Sequence, residues 1–150
     1  RKHQYLEKYL MENQTKLEII LKRRQYFNNL FPKIKGCNYR KDIDFEIPNT
    51  CPACGYLTLD QRCSWEICSL CFWEDGGQDD FDADKIFGGP NGAVSLTDYR
   101  IKFFDEFENF KNKNENLEFV KELRILDSFI FLNEENVQKV EFQIEKVFKK

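Results

Sequence analysis

Cys51-Pro52-Ala53-Cys54-Gly55-Tyr56-Leu57-Thr58-Leu59-Asp60-Gln61-Arg62-Cys63-Ser64-Trp65-Glu66-Ile67-Cys68-Ser69-Leu70-Cys71-Phe72-Trp73-Glu74-Asp75 holds two Cys-x-x-Cys pairs separated by thirteen residues, close to the spacing of a four-thiolate zinc site. Two residues between thiols let a tight turn aim both sulfurs at one ion. The interval between the pairs accommodates two short strands and a loop. Pro52 presets φ for such a turn, and Gly55 can take φ > 0 so that backbone N–H groups point back toward the sulfurs. Residues 56–59 and 65–67 favour strands, with residues 60–64 as the turn between them, which predicts a small zinc-ribbon hairpin. Four thiolates, Cys51, Cys54, Cys68 and Cys71, fill a tetrahedron and leave no open position, so one Zn²⁺ held there is structural rather than catalytic. Iron in a rubredoxin-like site is the other occupant to weigh. Buried or free thiols are the bland alternative, disfavoured by two pairs with strand signals between them.

Further blocks extend the pattern: Ile67-Cys68-Ser69-Leu70-Cys71-Phe72-Trp73-Glu74-Asp75, then Gly88-Gly89-Pro90-Asn91-Gly92, then Ser95-Leu96 with Arg100 and Phe103. In this order, over about residues 51–110, they resemble the cysteine-rich CPCC domain. The chain departs from the name motif at Ala53, where a cysteine is usual, yet Cys51 and Cys54 keep the ligand spacing. The resemblance implies a small bacterial zinc-ribbon-like protein. Some similar proteins sit beside toxin genes as immunity proteins, which implies a toxin-neutralising role.

The chain has 150 residues, 41% of them hydrophobic and fifteen of them Phe, enough for one modest domain with an aromatic core. The expected organisation is α+β in a single domain, 1–150: N-terminal helices over 1–36, the ribbon with a covering helix over 37–112, and C-terminal helices over 113–150. Six cysteines point to metal before disulfides in an intracellular chain, and Cys37 and Cys63, outside the ribbon pattern, read as free thiols. No signal peptide or apolar run near 18 residues is evident, so a cytoplasmic location without membrane contact is expected. The chain opens on Arg1 rather than Met, which leaves room for residues before it.

The net charge of −3 hides an asymmetry: residues 1–41 carry eleven Lys/Arg against three Asp/Glu, whereas residues 42–98 carry two against twelve. Helical spacing runs over residues 3–31, with a polar break at Asn13-Gln14-Thr15 where Thr15 and Glu18 form a potential capping box. Two helices, or one with a kink, are expected, ending at Pro32 and Gly36. Lys22-Arg23-Arg24 reads as a solvated basic face, with a contact to an anion or an acidic partner as the alternative. Alternation at Ile43, Phe45 and Ile47 predicts a strand laid against the ribbon and stopping at Pro48.

Glu74, Asp75, Asp79, Asp80, Asp82 and Asp84 form an acidic loop. Calcium fails in detail, because an EF-hand loop from Asp80 needs Gly at 85 and Glu at 91, where Lys85 and Asn91 stand. The remaining readings are a solvated loop or a surface for a basic partner. Residues 88–92 read as a double turn rather than a phosphate cradle, lacking a P-loop lysine. Ser95, with Asp98 as reciprocal partner, caps a helix whose apolar stripe is Leu96, Tyr99, Phe103, Phe107 and Phe110. A helix with Leu117, Val120, Leu123 and Leu126 follows. The run 129–132 is too short to type. Asn133 is expected to cap a last helix whose apolar face is Val137, Val140, Ile144, Val147 and Phe148 and which ends at Lys149 and Lys150.

Catalysis is poorly supplied, since His3 is the only histidine and no Cys-x-x-Cys sits in a thioredoxin-like setting. Protein binding through the acidic surface, as an immunity protein facing a basic toxin, is the leading expectation. Nucleic-acid binding through the basic N-terminal helices is the second. The acidic ribbon argues against it by repelling phosphate.

Overall fold

The computed structural model describes residues 1–32 and 47–148. The strand expected over 43–47, the Cys37 thiol and the terminal Lys149 and Lys150 therefore fall wholly or largely outside the described residues. Among the described residues, four helices, α1 (Lys2–Leu30), α2 (Leu96–Lys113), α3 (Glu118–Leu132) and α4 (Val137–Phe148), surround two small antiparallel sheets. The α+β expectation holds.

The polar break expected in α1 does not form. Thr15 Oγ1 donates back to the Met11 carbonyl at 3.0 Å and Gln14 reaches Glu18, so both side chains are satisfied within a continuous helix. The helix ends where Pro32 has no N–H to offer. Its carboxyl half buries Ile20, Arg23, Arg24, Tyr26 and Phe27, while Tyr5, Leu6, Tyr9, Leu10 and Met11 remain exposed. None of the described helices is long and apolar enough to cross a membrane.

Strand pairing also differs from the expected hairpin. β1 (Asn49–Thr50) pairs with β2 (Leu57–Leu59), and β3 (Glu66–Ile67) pairs with β4 (Glu74–Asp75), so each strand pairs across its own Cys-x-x-Cys and not across residues 60–64. The cysteine turns themselves set this pairing, because Gly55 N–H to Cys51 O and Phe72 N–H to Cys68 O fold each segment back beside itself. Cys51 N–H to Tyr56 O (2.8 Å) and Cys68 N–H to Trp73 O (2.9 Å) make the two closures alike. Residues 60–64 are organised by side chains instead: the Glu66 carboxylate accepts from the Asp60 and Gln61 amides.

Ser95 Oγ accepts from Asp98 N and starts α2, which buries Leu96, Phe103 and Phe107, with Arg100 and Lys111 on the same face. α3 absorbs the ambiguous run 129–132. Asn133 proves to be the left-handed C-cap of α3 (φ 53°), and Asn136 Oδ1 caps α4 by accepting from Lys139 N. The expected cap was thus displaced by three residues, because Asn suits either role. Tyr56 is the hub of the core. Its buried ring meets Phe27 of α1, Phe107 of α2 and Phe148 of α4 at 5.9–6.4 Å, and its hydroxyl donates to Asp127 of α3 at 2.6 Å. Full burial of such a ring contributes about 1.5–3 kcal/mol.

Candidate metal centre

The two tight turns form a repeat within the ribbon. Gly55 N–H bonds Cys51 O at 2.9 Å and Phe72 N–H bonds Cys68 O at 3.0 Å, with Gly55 at φ 82° and Phe72 at φ 66°. A Cβ at Gly55 would lie 2.9 Å from the Ile20 carbonyl of α1, so close packing of the helix requires glycine there. The equivalent Phe72 faces solvent, 73% exposed, and tolerates a side chain at a backbone cost of about 1–2 kcal/mol.

These turns bring Cys51, Cys54, Cys68 and Cys71 together, buried, with all four Sγ atoms within 4.8 Å of one another. Cys51 and Cys71 Sγ are 3.6 Å apart, and Cys54 and Cys68 Sγ are 3.8 Å apart. A thiolate tetrahedron with metal–sulfur bonds of about 2.3 Å has edges of about 3.8 Å, so the residues present fit a metal ion. Ala53 N donates to Cys51 Sγ, and Leu70 N and Cys71 N donate to Cys68 Sγ, each at 3.4 Å. Such donors favour the thiolate form.

Without a cation, four thiolates this close are mutually unfavourable. Burial pushes the Cys54 thiol up, and the hydrogen bond with Cys51 pushes Cys71 up, whereas hydrogen bonds from Cys51, Cys54 and Cys71 hold Cys68 far below an ordinary thiol. A divalent ion removes the conflict by neutralising two of the four charges. Tyr99, which donates its hydroxyl to Cys71 O, is pushed up to about 12 by burial and by the neighbouring sulfurs.

An arginine frame surrounds the centre. Arg23 Nη1 donates to Cys54 O at 2.7 Å with its guanidinium 4.0 Å from the Tyr56 ring centre, and Arg100 Nε donates to Pro52 O at 2.8 Å. Arg24 binds both Asp79 oxygens and Thr50, Arg100 also binds Asp80, and Arg62 binds Asp75 (2.7 Å) and Asp79 (3.0 Å). Lys22-Arg23-Arg24 is therefore not a solvated face. Only Lys22 stays outside, 5.9 Å from the centre of the Phe131 ring. Arg23 and Arg24 lie on the buried side of α1 with Ile20 and Phe27; Arg24 is neutralised by Asp79 and Asp80 of the acidic segment, whereas Arg23 is held by the Cys54 carbonyl and the Tyr56 ring. Sequence reasoning missed these arginines as structural groups. The available signal was Arg100, set at helical spacing between Leu96 and Phe103 on the apolar stripe.

The acidic loop divides accordingly. Asp75 is wholly buried, accepting also from Cys63 N and Gly77 N, and Asp82 accepts from Asp79 N to close a capping box. Asp79 is mostly covered. Glu74 is half-buried, and Asp80 and Asp84 reach the surface. Among the described residues only the four thiols converge as a metal-binding group. The glycine turn is structural: Asn91 in its 3-10 turn (Gly89–Asn91) donates to Glu74 O and accepts from Glu74 N, bracing β4. Cys63, expected as a free thiol, is disulfide-bonded. Spacing in a sequence carries no information about such pairing.

The cysteine-rich CPCC family matches residues 49–119, a span from β1 through both turns, the acidic loop and α2 into the start of α3. No curated protein and no solved structure matches the chain.

Proposed function

We propose that this chain, whose residues 49–119 form a cysteine-rich CPCC domain, is a non-catalytic protein built on one structural zinc ion and acting by binding another protein. Its first expected partner is a basic bacterial toxin, which it neutralises in the cytoplasm as an immunity protein. The observation that carries this reading is the closure of the centre. All four sulfur ligands lie on residues no more than 5% exposed, which leaves a bound ion no position for water or substrate. Zinc suits such a site because it accepts a thiolate tetrahedron without redox chemistry. The only histidine, His3, is exposed and faces Glu7, far along α1 from the ribbon.

Large apolar side chains stand outside the core on two faces: Tyr5, Leu6 and Tyr9 on α1, and Phe131, Leu132 and Phe142 on α3 and α4. Exposed apolar surface of this kind supports protein binding. Of the acidic residues expected to face a partner, Glu74 and Asp84 lie outside the frame and are available for contact; Asp80 is exposed but paired with Arg24 and Arg100, and Asp75, Asp79 and Asp82 serve the frame. Nucleic-acid binding through α1 is weakened by the internal pairing of Arg23 and Arg24.

The test is capture from the extract of the source cell by zinc-loaded protein, before and after nuclease treatment, together with inspection of neighbouring genes for a toxin. Capture of a basic protein that survives nuclease and weakens with salt is the expected result. Capture that disappears with nuclease would overturn the reading in favour of nucleic acid.

A further inference from the structure

A cavity of about 500 Å³ opens beside the second cysteine turn, walled by Trp65, Trp73 and Phe87, with Glu74 and Asp82 among its lining residues. The rest of its lining is mainly glycine, so backbone rather than side-chain bulk forms its rim. No lysine or arginine lines it among the described residues. Three aromatic rings, a Glu74 carboxylate without an ion-pair partner among the described residues and no resident cation make a site complementary to positive charge; the Asp82 carboxylate is buried in the capping box. The negative ring faces attract a cation and Glu74 supplies its counter-charge.

Three details separate this cavity from the arginine frame a few residues away. Asp75, Asp79 and Asp80 each meet a guanidinium of the chain itself, whereas Glu74 has no ion-pair partner among the described residues. Trp73, 1% exposed, carries a buried Nε1–H without a hydrogen-bond partner. Trp65 holds φ 64°, a conformation unfavourable for a bulky residue, yet the residue is 58% exposed. A Cβ at Gly76 would lie 2.4 Å from the Trp65 ring, so the indole lies directly on bare backbone and is fixed as a wall. Strain that places an aromatic ring at the surface rather than in the core is a mark of a binding position.

We propose that this cavity receives an arginine side chain of a basic protein partner, its guanidinium stacked against the exposed Trp65 indole and paired with Glu74. Arginine fits better than lysine because a planar guanidinium can stack on an aromatic face and present two donors to one carboxylate at the same time. This inference rests on the protein-binding reading above and assigns it a contact point.

Both tryptophans of the chain line the cavity, so intrinsic fluorescence reports on it alone. The zinc-loaded full chain is titrated with a blocked peptide of alternating arginine and glycine, with the same peptide carrying citrulline, and with tetramethylammonium. A saturable emission change with the arginine peptide is expected, at least about tenfold tighter than with citrulline and weakened about tenfold or more by Glu74→Gln or Phe87→Ala. Both substitutions lie outside the core, and the helical signal checks that they fold. No saturable change, equal binding of the citrulline peptide, or tighter binding of tetramethylammonium would overturn the proposal, the last by marking a small-cation site. A basic protein captured equally well by Glu74→Gln and the parent would overturn this contact point and leave protein binding standing. Arginine-peptide binding with no basic protein captured would do the reverse.

Discussion

Replacing Asp79 by Asn removes one charge at nearly constant volume, and the consequence follows from what that carboxylate holds. Arg24 donates to both of its oxygens, at 2.5 and 3.0 Å, and Arg62 donates at 3.0 Å. The two guanidinium-bearing side chains are only 8% and 9% exposed. Hydrogen bonds to charged groups contribute about 1.5–3 kcal/mol each, and breaking a buried ion pair from one side costs about 3–5 kcal/mol because the other charge stays buried. Asp75 still holds Arg62 and Asp80 still touches Arg24 at 3.3 Å, so the loss should fall at the low end, about 3 kcal/mol. Burial pushes the Asp79 carboxyl up, but hydrogen bonding and charge attraction from Arg24, joined by Arg62, outweigh it and hold the group well below the ordinary carboxylate range. A carboxyl depressed in the folded state contributes stability that is present above the unfolded value, about pH 4, and lost as pH falls through the folded one. The deficit of the variant should therefore be steady near neutrality and shrink below about pH 4. Urea unfolding of metal-replete protein, followed by helix circular dichroism, measures it. Asp84→Asn serves as the control, since among the described residues that exposed carboxylate accepts only from Thr97 Oγ1. Unfolding of Asp79→Asn within about 0.5 kcal/mol of the parent at pH 7, or a deficit that grows on acidification, would refute the assignment of Asp79 to the frame.

The two turn positions should respond with opposite signs. Gly55→Ala places a methyl 2.9 Å from the Ile20 carbonyl at φ 82° and should destabilise by about 2 kcal/mol, whereas Phe72→Gly relieves a left-handed residue at the surface and should stabilise by about 1 kcal/mol. A loss in both by urea titration would show that Phe72 packs more than its exposure indicates. Purified protein should carry one ion per chain by elemental analysis. Stripping that ion should reduce helix signal, because Tyr56 and the arginine contacts depend on the first cysteine turn. Full retention of helix and melting temperature after stripping would refute a structural metal. Affinity for added zinc should rise with pH, since burial keeps Cys54 protonated in the metal-free site and uptake must displace its proton.

Local pattern was a good guide where the interaction was local. The Cys-x-x-Cys spacing, the Ser95 cap, the stripe of α2 and the buried positions Val140, Ile144 and Val147 of α4 depend on neighbours within a turn or two of chain. Local pattern misled where two local solutions compete. Thr15 either caps a helix or bonds back within one, Asn133 suits a C-cap as well as an N-cap, and β2 can pair across residues 60–64 or across the first cysteine turn, residues 51–56. The charge asymmetry was visible in the composition, but its meaning was not. A basic N-terminal segment and an acidic middle segment attract each other within one chain as readily as either attracts a partner.

By itself the sequence determined which four cysteines converge, the α+β class, the resemblance to the cysteine-rich CPCC domain and the faces of α2, α3 and α4, because thiol spacing and helical period act over a few residues. Only the tertiary structure decided that Arg23, Arg24, Arg62 and Arg100 belong to the frame of the metal centre, that half of the acidic loop turns inward, and that Trp65, Trp73 and Phe87 share one cavity. Those outcomes depend on which distant segments meet once α1 and α2 pack against the ribbon, and a pairing of charges tens of residues apart leaves no period in the chain.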